Sequence, residues 1–107
     1  MHYTLIHSET VDGLDIRFYA TPSDIDPRGQ FDFDGADEVI QGIQDGRYEW
    51  FDAKIAAFKN GIELASDYLG GCCYETFATF VTDGGYYDEM RQTVINEARQ
   101  AIVALAA

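Results

Sequence analysis

The run Tyr48-Glu-Trp-Phe-Asp-Ala-Lys-Ile-Ala-Ala-Phe58, then Lys59-Asn60-Gly61, then Ile62-Glu-Leu-Ala-Ser-Asp-Tyr-Leu69 decides the fold. Phe51, Ala53, Ile55 and Ala57 fall on one face of an extended chain. Tyr48, Trp50, Asp52 and Lys54 fall on the other, the period-2 pattern of a half-buried strand. A helix over Phe51 to Lys59 competes, because Ala53, Ala56 and Ala57 also suit helices. Asn60-Gly61 favours the hairpin: both residues tolerate positive φ, as a type I′ turn requires. The returning strand is expected to run from Ile62 to Leu69 and to end at Gly70-Gly71.

Upstream, Tyr3 to His7 reads as a strand. Leu14 to Tyr19 reads as a second, with Leu14, Ile16 and Phe18 on one face and Asp15 and Arg17 on the other. Val11-Asp12-Gly13 supplies the turn between them. From Thr21 to Asp34 the pattern stops at Pro22, Pro27 and Gly29. A short helix over Asp37 to Gln44 follows, capped by Asp34, with Val39, Ile40 and Ile43 as its buried stripe and Gly46 as its stop. Gly42 inside it costs about 1 kcal/mol relative to Ala. Downstream, Glu75 to Val81 forms a short helix. A long one runs from Tyr86 to Leu105, burying Met90, Val94, Ala98, Ala101 or Ile102, and Leu105. The order β-β-α-β-β-α-α predicts a single α+β domain over residues 1–107: a four-stranded antiparallel sheet of two hairpins, with helices packed on one side.

The 107 residues include 19 Asp+Glu and 7 Lys+Arg, for a formal charge of -12, while 47% are hydrophobic and 14% aromatic. That apolar share closes a core and argues against disorder. The negative charge disfavours direct binding to nucleic acid, where Lys and Arg must displace counterions, and disfavours an anionic membrane. No signal-peptide pattern opens the chain, and no apolar run reaches a bilayer span. Cys72 and Cys73 are adjacent, a spacing that strains a disulfide, so reduced thiols and a cytoplasmic setting are expected.

Chemical motifs are tested and set aside. Calcium loops place Gly at six and Glu at twelve. With Gly35 at six, Gln41 stands at twelve; with Gly29 at six, Arg28 stands at five and Gly35 at twelve. Cys72, Cys73, His2 and His7 lack the spacing of a zinc site. A Cys72 or Cys73 nucleophile paired with His7 has no support in spacing, and acidic surroundings raise a thiol pKa. Gly70-Gly71 and Gly84-Gly85 match no phosphate loop. No catalytic residue, metal or cofactor is expected, and the chain reads as a binding protein, not an enzyme.

Charge distribution is the lead. Between Asp24 and Asp52 stand Asp24, Asp26, Asp32, Asp34, Asp37, Glu38, Asp45, Glu49 and Asp52, against Arg28 and Arg47, a net -7. Phe31, Phe33, Tyr48, Trp50 and Phe51 are threaded among them. Such a surface suits a basic partner, by steering plus aromatic anchors. The best-matched partners are proteins whose Lys/Arg grooves hold DNA or RNA, since clustered carboxylates imitate phosphate charge density. Asp24, Asp26, Asp32, Asp34, Asp37, Glu38, Asp45 and Glu49 are the expected contacts, with Phe31, Phe33 and Trp50 as anchors. Against this stand a merely solvated acidic face, and adaptation to a high-salt cytoplasm, which the scarcity of Lys also suits. The rival function is an accessory domain binding through an aromatic sheet face (Tyr48, Trp50, Tyr68), its acids serving solubility. A monomer or a homodimer fits either reading.

In size, acidity and mixed element order, the whole chain resembles small inhibitors of phages and other mobile elements, of the anti-CRISPR and anti-restriction kind. The resemblance implies a DNA mimic that occupies the nucleic-acid groove of a CRISPR effector or restriction enzyme. It rests on gross character and assigns no site residue.

Overall fold

Two tight turns organise the sheet. Asp12 and Gly13 have φ of 51° and 81°, and Asn60 and Gly61 have 53° and 78°. Left-handed backbone at both central positions is the type I′ geometry, whose twist matches that of the flanking strands. In the computed structural model, which describes residues 2–83 and 85–106, these turns join β1 (Thr4–Val11) to β2 (Leu14–Pro22) and β3 (Glu49–Lys59) to β4 (Ile62–Tyr74). The strands form one antiparallel sheet in sequence order. The β2–β3 pairing, from Asp15↔Phe58 to Pro22↔Phe51, unites the hairpins. Helix α1 (Ala36–Gln44) lies in the connection between them; α2 (Phe77–Thr82) and α3 (Gly85–Ala106) follow β4. The expected α+β order is the observed one.

The core forms where period 2 meets period 3.6. Leu14, Ile16, Phe18 and Ala20 of β2 alternate inward beside Phe51, Ala53, Ile55 and Ala57 of β3, all buried. Phe80 of α2 and Tyr87, Met90, Val94, Ile95 and Ala98 of α3 complete the cluster. Phe80 is its hub, with ring centroids 5.0 Å from Phe18, 5.5 Å from Phe51, 5.0 Å from Tyr74 and 6.1 Å from Tyr87. The α3 stripe holds as far as Ala98, but Leu105, expected inside, is 80% exposed, because the helix outruns the sheet. Tyr87 and Ile95 are buried in addition.

Three boundaries differ from expectation for local reasons. Gly70-Gly71 does not end β4. Phe51 pairs with Cys72 and Ala53 with Leu69, so β4 carries one extra residue there. Gly71 takes φ +67° and donates its N–H to Asp52 Oδ1 at 3.0 Å. The pair is a β-bulge, and the strand continues to Tyr74. Asp34 does not cap α1: the position is filled by Gly35 at φ 90°, with no side-chain cap. The short helix after β4 starts at Phe77 rather than Glu75, because the Thr76 hydroxyl accepts the Thr79 N–H at 3.1 Å.

The molecule measures 53 × 24 × 23 Å, with a radius of gyration of 15.7 Å, against about 13 Å for a compact chain of this length. Helix α3, with 22 residues, is about 33 Å long, and β4, with 13, about 43 Å. The connection between β2 and β3 leaves the sheet at the end opposite the hairpin turns.

Candidate interaction surface

The β2–β3 connection, an arm of residues 23–48, is tied to the sheet through Trp50. The Ser23 N–H donates to the Trp50 carbonyl at 3.2 Å, and Trp50 Nε1 donates to the Ile25 carbonyl at 2.8 Å. Phe31 packs against Trp50 at 5.9 Å with the rings tilted by 55°, and carries Phe33 edge-on at 6.0 Å. Arg28 folds back on Asp26, its N–H and guanidinium both donating to the carboxylate, which pulls that carboxyl below the ordinary Asp range. Where the arm rejoins the sheet, the Arg47 and Tyr48 N–H groups donate to the Gly42 carbonyl at 2.8 and 3.2 Å. The Tyr48 ring packs against Gly42, where an added Cβ would meet ring carbons at 2.4 Å.

That contact explains a glycine in a helix interior. Gly42→Ala gains about 1 kcal/mol of helix propensity but cannot fit without displacing Tyr48. The expected result is an arm that swings away from the sheet with little change in the melting midpoint. Shifted amide resonances over residues 36–50 would show it, and Gly42→Ala with Tyr48→Ala should restore the parent pattern over α1. An unshifted spectrum for Gly42→Ala alone would remove Tyr48 as the brace.

The carboxylates on the arm face water. Asp24, Asp26, Asp32, Asp34, Asp37, Glu38, Asp45 and Glu49 are all exposed. Asp26 is paired with Arg28 at 2.8 Å, and Asp45 with Arg47 at 3.6 Å and the Gln41 amide at 2.8 Å. Asp24, Asp32, Asp34, Asp37, Glu38 and Glu49 have no cationic partner among the described residues. Elsewhere four of the five cations are already engaged, Arg17 with Asp15, Lys54 with Glu63, Arg91 with Glu9 and Arg99 with Asp12, and Lys59 stands at the β3–β4 turn, the sheet end opposite the arm. The chain's few positive charges therefore do little to cancel the field of the arm.

The aromatics divide by role. Phe33 is 54% exposed and is free to meet another molecule. Phe31 and Trp50 are half-buried and hold the arm, so they act first as internal braces. Asp52 belongs to the β4 bulge. Of the residues proposed for an aromatic sheet face, only Tyr68 is open, at 56% exposed; Tyr48 lies on Gly42, and Trp50 lies under Ile25 and Phe31. The sheet face away from α2 and α3 does carry an aromatic group the linear reading overlooked. Lys54 Nζ sits 5.8 Å from the Tyr19 ring and 5.7 Å from the Tyr68 ring, with Tyr3 edge-on to Tyr68 at 6.3 Å. The alternation of β2 and β3 carries the signal for Tyr19 and Lys54, but which strands are neighbours is a tertiary fact.

The thiols are placed for packing. Cys72 is buried, and burial together with the nearby Asp52 charge pushes its pKa up to about 12. His7 lies on β1 against Tyr87 at 6.2 Å, whereas Cys72 lies on β4. These strands are the opposite edges of the sheet, about 14 Å apart, so they form no Cys–His pair. Among the described residues no cluster of three His, Cys, Asp or Glu is arranged to hold a metal ion.

The raised pKa makes a prediction with a definite sign. The unfolded thiol ionises near its ordinary value of about 9, so above that pH the unfolded state binds fewer protons than the folded one. Stability from this group is complete below pH 9 and declines as pH climbs towards 12; Tyr87, also pushed up to about 12 by burial, adds to the decline from about pH 10. Urea midpoints are expected to drop between pH 9 and 11, and to drop less in Cys72→Ala. Equal slopes in both proteins would exclude Cys72 as a source.

No known protein family, curated protein or solved structure matches the chain.

Proposed function

We propose that the protein is a small acidic inhibitor that occupies the nucleic-acid groove of a basic protein, such as a CRISPR effector or a restriction enzyme, in the manner of a DNA mimic. The observation that carries this reading is the arm itself. It leaves the sheet end, is braced by Trp50 and Phe31, and presents five carboxylates, Asp24, Asp32, Asp34, Asp37 and Glu38, without internal cations. Rigid placement matters, because binding charges that are already ordered lose less conformational freedom on association. Arginines and lysines of the partner would meet the carboxylates, and Phe33 would supply an apolar contact. Occlusion would be competitive with nucleic acid and sensitive to salt.

The test is capture of a nucleic-acid-binding protein from host lysate by the native chain and by a variant with Asn or Gln at Asp24, Asp26, Asp32, Asp34, Asp37 and Glu38. At about 0.5 kcal/mol per exposed interaction, affinity should fall roughly a hundredfold, and capture by the native chain should weaken as salt is raised. Equal capture by both forms would sink the proposal.

The open sheet face of Tyr19, Lys54 and Tyr68 supports a second reading, an accessory domain that binds through aromatics. Trp50→Ala is the wrong probe for it, since Trp50 holds the arm. Tyr68→Ala removes an exposed ring, and loss of capture in this variant, with the six-acid variant unaffected, would favour that reading.

A further inference from the structure

Two hollows lie side by side beneath the arm and merge over Phe31, Cys73 and Tyr74. One extends towards Tyr48 and Val39, the other towards Tyr86. The six consecutive residues from Leu69 to Tyr74 line the second hollow. Past the bulge, Cys72, Cys73 and Tyr74 point to alternate faces, so all three border one hollow because it runs along the strand's edge. That edge is the free one: β4 is last in the sheet and pairs only with β3. Past the bulge, where Asp52 holds the Gly71 N–H, alternate N–H and C=O groups of Cys72 to Tyr74 have no neighbouring strand.

The walls define what would fit. Phe31 and Tyr48 rise on the arm side and Tyr86 on the α3 side, giving an apolar trench. Glu75 and Asp83 border its Tyr48 end. Both are exposed, and neither has a cationic partner among the described residues. An apolar trench beside an open strand edge suits an extended segment, and two unpaired carboxylates on its rim select for positive charge.

We propose that this trench receives an extended, arginine- or lysine-bearing segment of the partner, added to the sheet as a fifth strand along Cys72–Tyr74, past the bulge. Its apolar side chains lie between Phe31 and Tyr74, and a basic side chain reaches Glu75 and Asp83. The inference rests on the reading of the partner as basic, and adds where and in what conformation the partner is gripped. The arm's outward carboxylates supply steering, while the trench supplies the directional contact.

The probe is a fluorescein-labelled eight-residue peptide alternating arginine and valine, titrated into the full chain and followed by anisotropy and amide NMR. Saturable binding is expected, with the largest amide shifts at residues 69–75. Glu75→Gln with Asp83→Asn, both at exposed positions, should weaken binding about tenfold. The same peptide N-methylated at alternate residues keeps every charge and side chain but loses its edge donors, and it should bind at least as poorly. Equal affinity of the methylated peptide, or shifts confined to residues 24–38, would overturn the trench. Neither result would touch the proposed inhibition, which is judged by the six-acid variant; conversely, normal capture by that variant with intact peptide binding would remove the inhibitor reading and leave the trench.

Discussion

Phe80→Ala is expected to cost about 4 kcal/mol and to lower the melting midpoint by about 15 °C. Phe80 is 1% exposed and contacts rings from three strands' worth of sequence and from α3: Phe18, Phe51, Tyr74 and Tyr87. Helix α2 has six residues, too few to persist without tertiary packing. Removing the ring therefore opens a cavity and also releases the helix that fills it. Phe58 on the opposite sheet face, half-buried beneath the Arg17 guanidinium at 4.2 Å, is the control, and Phe58→Ala should cost clearly less. Thermal melts followed by circular dichroism decide the matter. A loss for Phe80→Ala below about 1 kcal/mol would mean that the helical layer is not seated on the sheet as described.

Gly71→Val is expected to destabilise by about 3 kcal/mol, from two sources that add. A β-branched residue at φ +67° occupies backbone space that L-residues avoid, costing about 1–2 kcal/mol. The new Cβ would also lie 3.1 Å from the Trp50 ring, an overpacked contact costing about 1 kcal/mol or more. The consequence reaches the arm, because Trp50 is its brace. Gly71→Val should thus broaden or shift the Phe31 and Ile25 resonances as well as lower the urea midpoint. Asp52→Ala removes only the acceptor of the Gly71 N–H and should cost about 1 kcal/mol, leaving Trp50 in place. If Gly71→Val lost no more than Asp52→Ala, the bulge would not need glycine.

Much of the architecture is local in origin. Asp12-Gly13 and Asn60-Gly61 set both hairpins, since their positive φ values are cheap for those residue types alone, and strict alternation through β2 and β3 chose the buried face. Misreadings fall where two local signals compete. Gly70-Gly71 looks like a strand end, because glycine more often breaks a strand than bulges it; only the partner carboxylate of Asp52 distinguishes the two. Asp34 looks like a cap until Gly35 takes the left-handed position itself. Leu105 continues a faultless helical stripe, but periodicity has no knowledge of where the sheet below it stops.

The acids were legible as a run, and their roles were not. Asp24, Asp32, Asp34, Asp37 and Glu38 differ from Asp26 and Asp52 only in what stands opposite: water for the first five, Arg28 for Asp26, the Gly71 N–H for Asp52. Trp50 reads as an exposed anchor because it lies on the polar face of β3, yet a carbonyl 25 residues earlier in the chain captures its indole N–H.

By itself, the sequence determined the strand and helix types, the two hairpin turns, the buried face of the central strands and the concentration of negative charge between Asp24 and Asp52. Each follows from interactions within a few residues: φ preference, side-chain period and fixed charge. Tertiary structure alone decided that the acidic run becomes a braced arm, that Tyr19, Lys54 and Tyr68 meet on one open face, and that a trench follows the free edge of β4. Those features depend on which distant segments are neighbours, and burial of apolar surface selects that arrangement for the chain as a whole.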